Sequence, residues 1–233
     1  INTMDLAERA LEAGDADFVH MGRAFHCDPE IYEKAIGGRS AETIRCIGCN
    51  KCIGTVFSDN RMVCTVNPVA GREREMPLRP AEKPRRVMVV GGGMAGMEVA
   101  ATAAQRGHSV TLYEKTDGLG GHIRVLSASK HRRSWWNAAE DRMTKLRKAG
   151  VKVVTGTEVA PEHVSEAKPE VLVLATGSKP FMPPYIPGID QPIVTDYQAL
   201  TNDVVKPGRD VVVVGGQELG LTVAEYLSEH GSR

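Results

Sequence analysis

The sequence has no surplus of charge: 29 lysines and arginines meet 29 aspartates and glutamates, for a net charge of zero. Such a balance carries no electrostatic footprint for nucleic acid. Long apolar runs are missing too. The longest, such as 171–175 and 211–214, are strand-sized, so no membrane span and no secretory leader are expected. Cysteine is scarce everywhere except in one stretch: four of the five fall between positions 46 and 64. A reducing, cytoplasmic compartment is the expectation, because thiolates gathered for a metal group must stay reduced. What is present is enough apolar content, 42% of 233 residues, for one or two packed cores.

The cysteine stretch reads Cys46-Ile-Gly-Cys49-Asn-Lys-Cys52, with Cys64 returning later. Three cysteines at every third residue, around Gly48 and Gly54, let one tight loop present three thiolates to three corners of a small cube. This predicts a [4Fe-4S] site with Cys64 at the fourth corner. A structural zinc site is the alternative, although zinc usually draws paired ligands from two separate knuckles. Buried cysteine without metal is a third reading. Disulfides fit poorly, since two Cys-x-x-Cys links sharing Cys49 cannot both form. The remaining cysteine, Cys27, reads as a small buried side chain rather than a reactive thiol.

Ahead of this stretch, residues 4–13 place Leu6, Ala7, Ala10 and Leu11 on one helical face, and Gly14 ends the helix. A strand is expected at 17–21, running into Gly22-Arg23, with a further helix whose N-cap would be Asp28 and whose first residue would be Pro29. A glycine backbone N–H and a guanidinium beside a helix start suit a phosphate, although an ordinary turn has the same composition.

The segment GDADFVHMGRAFHCDPEIYEKA resembles the last strand of the flavin-binding barrel of the old yellow enzyme group. The following IRCIGCNKCIG and MVCTVNPVAGRE are similar to its iron-sulfur branch, which contains 2,4-dienoyl-CoA reductase and trimethylamine dehydrogenase. The resemblance implies an α/β protein in which the end of an FMN-carrying (β/α)8 barrel leads through a cluster loop into a Rossmann-like FAD/NAD(P)-binding module. It implies FMN phosphate at Gly22 and Arg23, and cluster ligands at Cys46, Cys49, Cys52 and Cys64. The expected divisions are 1–36 for the barrel end, 37–83 for the cluster segment and linker, 84–204 for the dinucleotide domain, and 205–233 for the start of a second nucleotide domain. The chain reads as a piece of a longer protein.

Between Cys64 and Arg85 prolines and charges without periodicity predict a linker. Then comes a strand at 86–90, the turn Gly91-Gly-Gly93-Met-Ala-Gly96, a small-residue helix, and a strand at 109–113 ending on Glu114. With strand, turn, helix and an acid at the tip of the next strand, each part has a task in holding a dinucleotide: tight turn, approach to pyrophosphate, helix packing and ribose hydrogen bonds. The resemblance adds Gly120 and Gly121 along the diphosphate, and Ala175-Thr176-Gly177 as the turn where backbone passes the dinucleotide. FAD, or ADP in its place, is the implied ligand. Lys130 to Arg133 read as a solvated helix start, Trp135 and Trp136 as core or interface anchors, and 151–154 and 171–174 as further strands.

A second motif follows a strand expected at 210–214: Gly215-Gly-Gln217-Glu-Leu-Gly220. Gln217 replaces the middle glycine, where backbone must lie against pyrophosphate, which puts NAD(P)H binding in doubt. Gln217 and the cysteine spacing resemble the amine dehydrogenase side of the branch, where electrons leave to a protein acceptor. An amine or N-methyl dehydrogenase-like oxidoreductase acting on a small molecule is therefore the leading expectation. An NAD(P)H-dependent enoate or enoyl-CoA reductase is the alternative, and an electron-transfer module without substrate chemistry the third. No catalytic acid or base can be named from these residues.

Overall fold

Val87, Met88 and Val89 follow one another without a polar break and are buried on both faces, as a central parallel strand requires. They lie in β1 (Arg86–Val90), which pairs in parallel with β2 (Ser109–Tyr113) on one side and β4 (Val171–Leu174) on the other. β3 (Lys152–Val154) pairs with β2, giving the order β3-β2-β1-β4. The computed structural model describes residues 1–58, 60–197, 200 and 205–233.

Parallel pairing leaves each strand's return to a helix on a sheet face. Three helices precede the cysteine loop: α1 (Met4–Glu12), α2 (Gly22–Cys27) and α3 (Ile31–Ile36). α4 (Lys51–Val56) carries its third ligand candidate. Between β1 and β2 runs α5 (Met94–Gln105), and between β2 and β3 run α6 (Ile123–Leu126) and α7 (Asn137–Lys148). α8 (Pro161–Ala167) precedes β4, and α9 (Glu218–Glu229) lies near the end. The core joins Val87, Val89, Met97, Ala100, Leu112 and Leu146, so α5 and α7 close over the sheet. The alanines of α5 let that helix approach the strands closely.

Several sequence expectations change. Residues 17–21 form no strand, and Phe18 is 92% exposed; a parallel strand draws its hydrogen bonds from neighbours, and no described strand lies beside it. Residues 210–214 likewise carry no strand, and Val212 and Val214 are exposed. Of that stretch, Val211 N–H donates to Arg233 O, whose own N–H donates to Arg209 O. α1 forms as expected, with the Thr3 hydroxyl accepting from Leu6 N–H and Gly14 at φ +72°. Its face is only partly covered: Ala7 is buried while Leu6 and Leu11 are exposed. The 64–85 linker is not free chain at its start. Val66, Asn67 and Ala70 are buried, Arg142 donates to Val66 O at 2.9 Å, and Asn67 Nδ2 donates to His26 O at 2.9 Å. Residues 201–204, where the last domain boundary was expected, lie outside the described residues. Among the described residues no helix is long and apolar enough to cross a membrane.

α3 begins at Ile31, three residues after the expected N-cap. Asp28 instead turns inward, 1% exposed, and accepts from Lys34 Nζ at 2.8 and 2.7 Å, Ile44 N–H at 2.9 Å and Glu30 N–H at 3.1 Å. One carboxylate thus fixes the end of α2, the start of α3 and the chain entering the cysteine loop. Removing one partner of a buried pair leaves the other charge uncompensated, at a cost of about 3–5 kcal/mol. Asp28→Ala is therefore expected to lower unfolding stability by that amount in a denaturant titration, with Asp28→Asn less affected because its carbonyl still accepts the two N–H groups. An Asp28→Ala midpoint equal to the parent's would refute the role.

Candidate cluster pocket and dinucleotide site

Gly48 at φ +69° and Asn50 at φ +55° turn the cysteine loop twice through left-handed backbone, a conformation that glycine and asparagine accept most readily. Cys46, Cys49, Cys52 and Cys64 consequently line one pocket together with Cys27 and Arg23. Ile47 and Val66 form its apolar wall, with Ala138, Met94 and Trp135 packed against them. From α7, Asp141 holds the loop by accepting Arg45 N–H and Nε, each at 2.8 Å, while Glu140 accepts from Arg45 Nη2 at 2.9 Å.

Two thiols in this pocket, Cys46 and Cys64, are biased toward thiolate. A hydrogen bond from the Cys27 thiol, opposed by burial and aided by Gly48 N–H and the charge of Arg23, holds Cys46 down to about 6. Cys64 is held down to about 6 by the same thiol, against burial, with the N–H groups of Val66 and Asn67 adding to it. The Cys27 thiol is itself pushed well up, by Cys46, Cys64 and burial in that order. Among the described residues, no three His, Cys, Asp or Glu side chains converge closely enough to enclose a single ion. A four-iron cube meets its cysteines at separate corners, and three thiols on one loop with a fourth returning beside them suit that group.

Arg23 is where sequence reasoning and structure part. Gly22 and Arg23 do not end a strand; they open α2, and Arg23 Nη1 donates to Asn50 Oδ1 at 2.5 Å. The guanidinium thus faces the cysteine loop. The inward turn of Arg23 was hidden because its partner, Asn50, lies 27 positions away.

At the first glycine turn the expected residues do come together at the carboxyl end of β1. Gly91 has φ +109°, and a Cβ there would sit 2.2 Å from Ala175 O. A Cβ on Gly96 would sit 1.9 Å from Gly91 O, so that glycine allows α5 to meet β1. Gly93 differs: its φ of −74° suits any residue, and an added Cβ would meet nothing nearer than Gly121 Cα at 4.0 Å. Neither packing nor conformation requires glycine at 93. The space it leaves lies over the N-terminus of α5, where unpaired N–H groups favour phosphate. Gly120 bridges to Gly93 and donates to Gly92 O at 2.9 Å, with Trp136 packed behind it. Ala175 N–H donates to Val90 O, and Thr176-Gly177 continues past it with Gly177 at φ +77°.

Glu114 accepts from Gly92 N–H at 2.6 Å and from Thr116 N–H and Oγ1 at 2.9 Å. Burial works to raise its carboxyl, but these donors outweigh burial and hold it below the usual carboxylate value. It is thus ionised and fixed at the sheet's edge, as a ribose acceptor must be. Glu114→Ala is expected to weaken ADP binding by about 1–3 kcal/mol, the cost of leaving polar partners unpaired. Calorimetric titration with ADP checks this, and unchanged affinity would remove Glu114 from the site.

Trp135 anchors the interface between the pocket and the glycine turn, while Trp136 backs Gly120. Trp135 and Met94 pack both against the dinucleotide-domain core and against the cysteine pocket. Arg142, 5% exposed, adds a polar tie: Nη2 donates to Val66 O, and Nε lies 3.3 Å from Glu98 Oε2 on α5 without an aligned hydrogen bond. The basic run at 130–133 is not simply solvated. Lys130 N–H donates to Glu229, and the neighbouring Ser129 hydroxyl donates to Glu225 at 2.7 Å, docking α9.

Residues 85–233 match the family described as pyridine nucleotide-disulphide oxidoreductase. An NADH oxidase from Thermoanaerobacter brockii is 42% identical over the whole of this chain, which covers 37% of that protein. A solved structure of 2-naphthoyl-CoA reductase with 2-naphthoyl-CoA superimposes on 98% of this chain and 35% of its own, with a TM-score of 0.92 and 38% identity. Histamine dehydrogenase from Rhizobium sp. 4-9 superimposes on 98% of this chain and 36% of its own, with a TM-score of 0.86 and 26% identity. The chain thus spans about a third of the length of these relatives. The chain belongs to the pyridine nucleotide-disulphide oxidoreductase family, within the iron-sulfur branch of the old yellow enzyme group.

Proposed function

We propose that this chain is the electron-relay portion of an iron-sulfur flavoprotein oxidoreductase acting on a small molecule. Cys46, Cys49, Cys52 and Cys64 hold a [4Fe-4S] cluster. Gly91, Gly93, Gly96, Glu114, Gly120 and Gly121, with the Ala175–Gly177 turn, hold FAD or ADP. When bound, the cluster supplies one-electron transfer and the flavin two-electron chemistry. The observation that carries this reading is the shared wall: Met94 follows Gly93 directly, and with Trp135 it packs against the cysteine pocket. The two sites are therefore separated by packed, half-buried side chains tied across by Arg45–Asp141 and Arg142–Val66. Gly22 and Arg23 are this portion's contacts to the FMN phosphate.

The second glycine turn supports entry of electrons from NAD(P)H, as in a reductase. Gly215 has φ +117°, Gln217 has φ −83° and ψ −177°, and a Cβ on Gly220 would sit 1.8 Å from Gly215 O. These repeat the geometry of Gly91, Gly93 and Gly96, so the departure at this motif lies in the Gln217 side chain and not in the backbone. The amine dehydrogenase reading, with electrons leaving to a protein acceptor, is favoured by the cysteine spacing and by Gln217 itself. The deciding experiment mixes the full-length protein anaerobically with NADH or NADPH and follows flavin bleaching. Reduction by a nicotinamide is expected. Bleaching by a small amine but by neither nicotinamide would overturn the reductase direction and leave the amine reading.

A further inference from the structure

Cys27 lies 19 positions before the first cysteine of the motif, yet its thiol ends 3.6 Å from Cys64 Sγ, in the pocket that the four ligand candidates line. The approach is built rather than incidental. Asn67 Nδ2 donates to His26 O at 2.9 Å, clamping the end of α2 to the segment that follows Cys64. Asp28, the next residue, anchors the same helix end to Ile44 and Lys34. Cys27 itself is 3% exposed and packed among Ile47, Val66 and Ala138. Water has little access to it, and the four-cysteine set leaves it without a ligand's task.

We propose that Cys27 is a positioning residue that donates an S–H···S hydrogen bond to the ligand sulfur of Cys64, and thereby raises the reduction potential of the cluster. The inference rests on the cluster assignment above. A thiol is a weak donor, but reduction adds negative charge that spreads onto the ligand sulfurs, so a donor aimed at one of them favours the reduced state. Hydrogen bonds to cluster sulfurs and the burial around them are among the features that set such potentials. The reduction is a one-electron step on the cluster; Cys27 neither gains nor loses electrons and keeps its proton.

The test uses the protein reconstituted anaerobically with iron and sulfide, as parent, Cys27→Ala and Cys27→Ser. Iron and labile sulfide are counted first, and the midpoint is then found by redox titration followed by electron paramagnetic resonance of the reduced cluster. All three are expected to hold the cluster, with the reduction equilibrium of Cys27→Ala about tenfold less favourable, a midpoint ~59 mV more negative for one electron. Cys27→Ser is expected to fall between, because its hydroxyl donates but reaches less far. A Cys27→Ala midpoint equal to the parent's would overturn the proposal. So would loss of the cluster from both variants, which would make Cys27 a ligand or a purely structural group. If the parent carries no labile sulfide, the cluster assignment fails first, and that result is visible before any variant is compared.

Discussion

Serine at any one of Cys46, Cys49, Cys52 or Cys64 is expected to abolish the full complement of about four irons and four labile sulfides per chain. The visible absorbance of the cluster should go with it. A serine hydroxyl stays protonated at neutral pH, whereas two of these thiols, Cys46 and Cys64, are held down to about 6. Three of the four cysteines sit within seven residues of one loop, Cys46 to Cys52. That loop's course depends on left-handed backbone at Gly48 and Asn50, so a lost corner cannot be recovered by sliding the chain. Cys27→Ser is the contrast, and it should keep the full complement. Metal and sulfide analysis of anaerobically reconstituted protein decides the matter. Stoichiometric zinc without labile sulfide would end the cluster reading.

Local signals made most of the dinucleotide domain legible. β4 and residues 87–90 of β1 are unbroken apolar runs, β2 alternates Val110 and Leu112 with polar neighbours, and the glycine turn sits between a strand and a helix rich in alanine, so pattern and tertiary structure agree. The gathering of the cysteines was legible for a different reason: their spacing encodes the loop itself. The illegible parts depend on partners distant in sequence. The 17–21 and 210–214 stretches have strand composition, but strand formation is a property of a pair, and composition does not say whether a partner is present. Arg23 meets Asn50, Arg45 meets Asp141 across 96 positions, and Arg142 meets Val66 across 76. None of these pairs leaves a periodic trace, yet together they fix the pocket against the glycine turn. Cys27 was read correctly as buried, but its place beside Cys64 follows from the fold of α2 and the Asn67 clamp, which no spacing announces.

Gln217→Gly is expected to tighten nicotinamide binding by ten to a hundredfold while leaving iron, sulfide and FAD content unchanged. At the first turn Gly93 leaves open the space over the start of α5, where nothing lies within 4 Å of an added Cβ except Gly121 Cα at its limit. At the second turn the backbone of Gln217 matches that of Gly93, φ −83° and ψ −177° against φ −74° and ψ −176°. The corresponding space over α9 therefore receives the first carbons of a glutamine side chain. A pyrophosphate there must stand off the helix N-terminus and lose one or two hydrogen bonds to charged oxygens, at roughly 1.5–3 kcal/mol each. Since 1.4 kcal/mol is about tenfold in affinity, losing even one such bond accounts for the expected change. The substitution costs the helix little, because glycine is tolerated at an N-cap and Gln217 makes no side-chain capping bond. Anaerobic reduction of the full-length protein at increasing NADH or NADPH gives the half-saturating concentration for each form. Equal values for parent and variant would show that the glutamine side chain lies clear of the phosphates. Half-saturation of the parent already at micromolar nicotinamide would show that Gln217 does not obstruct the phosphates.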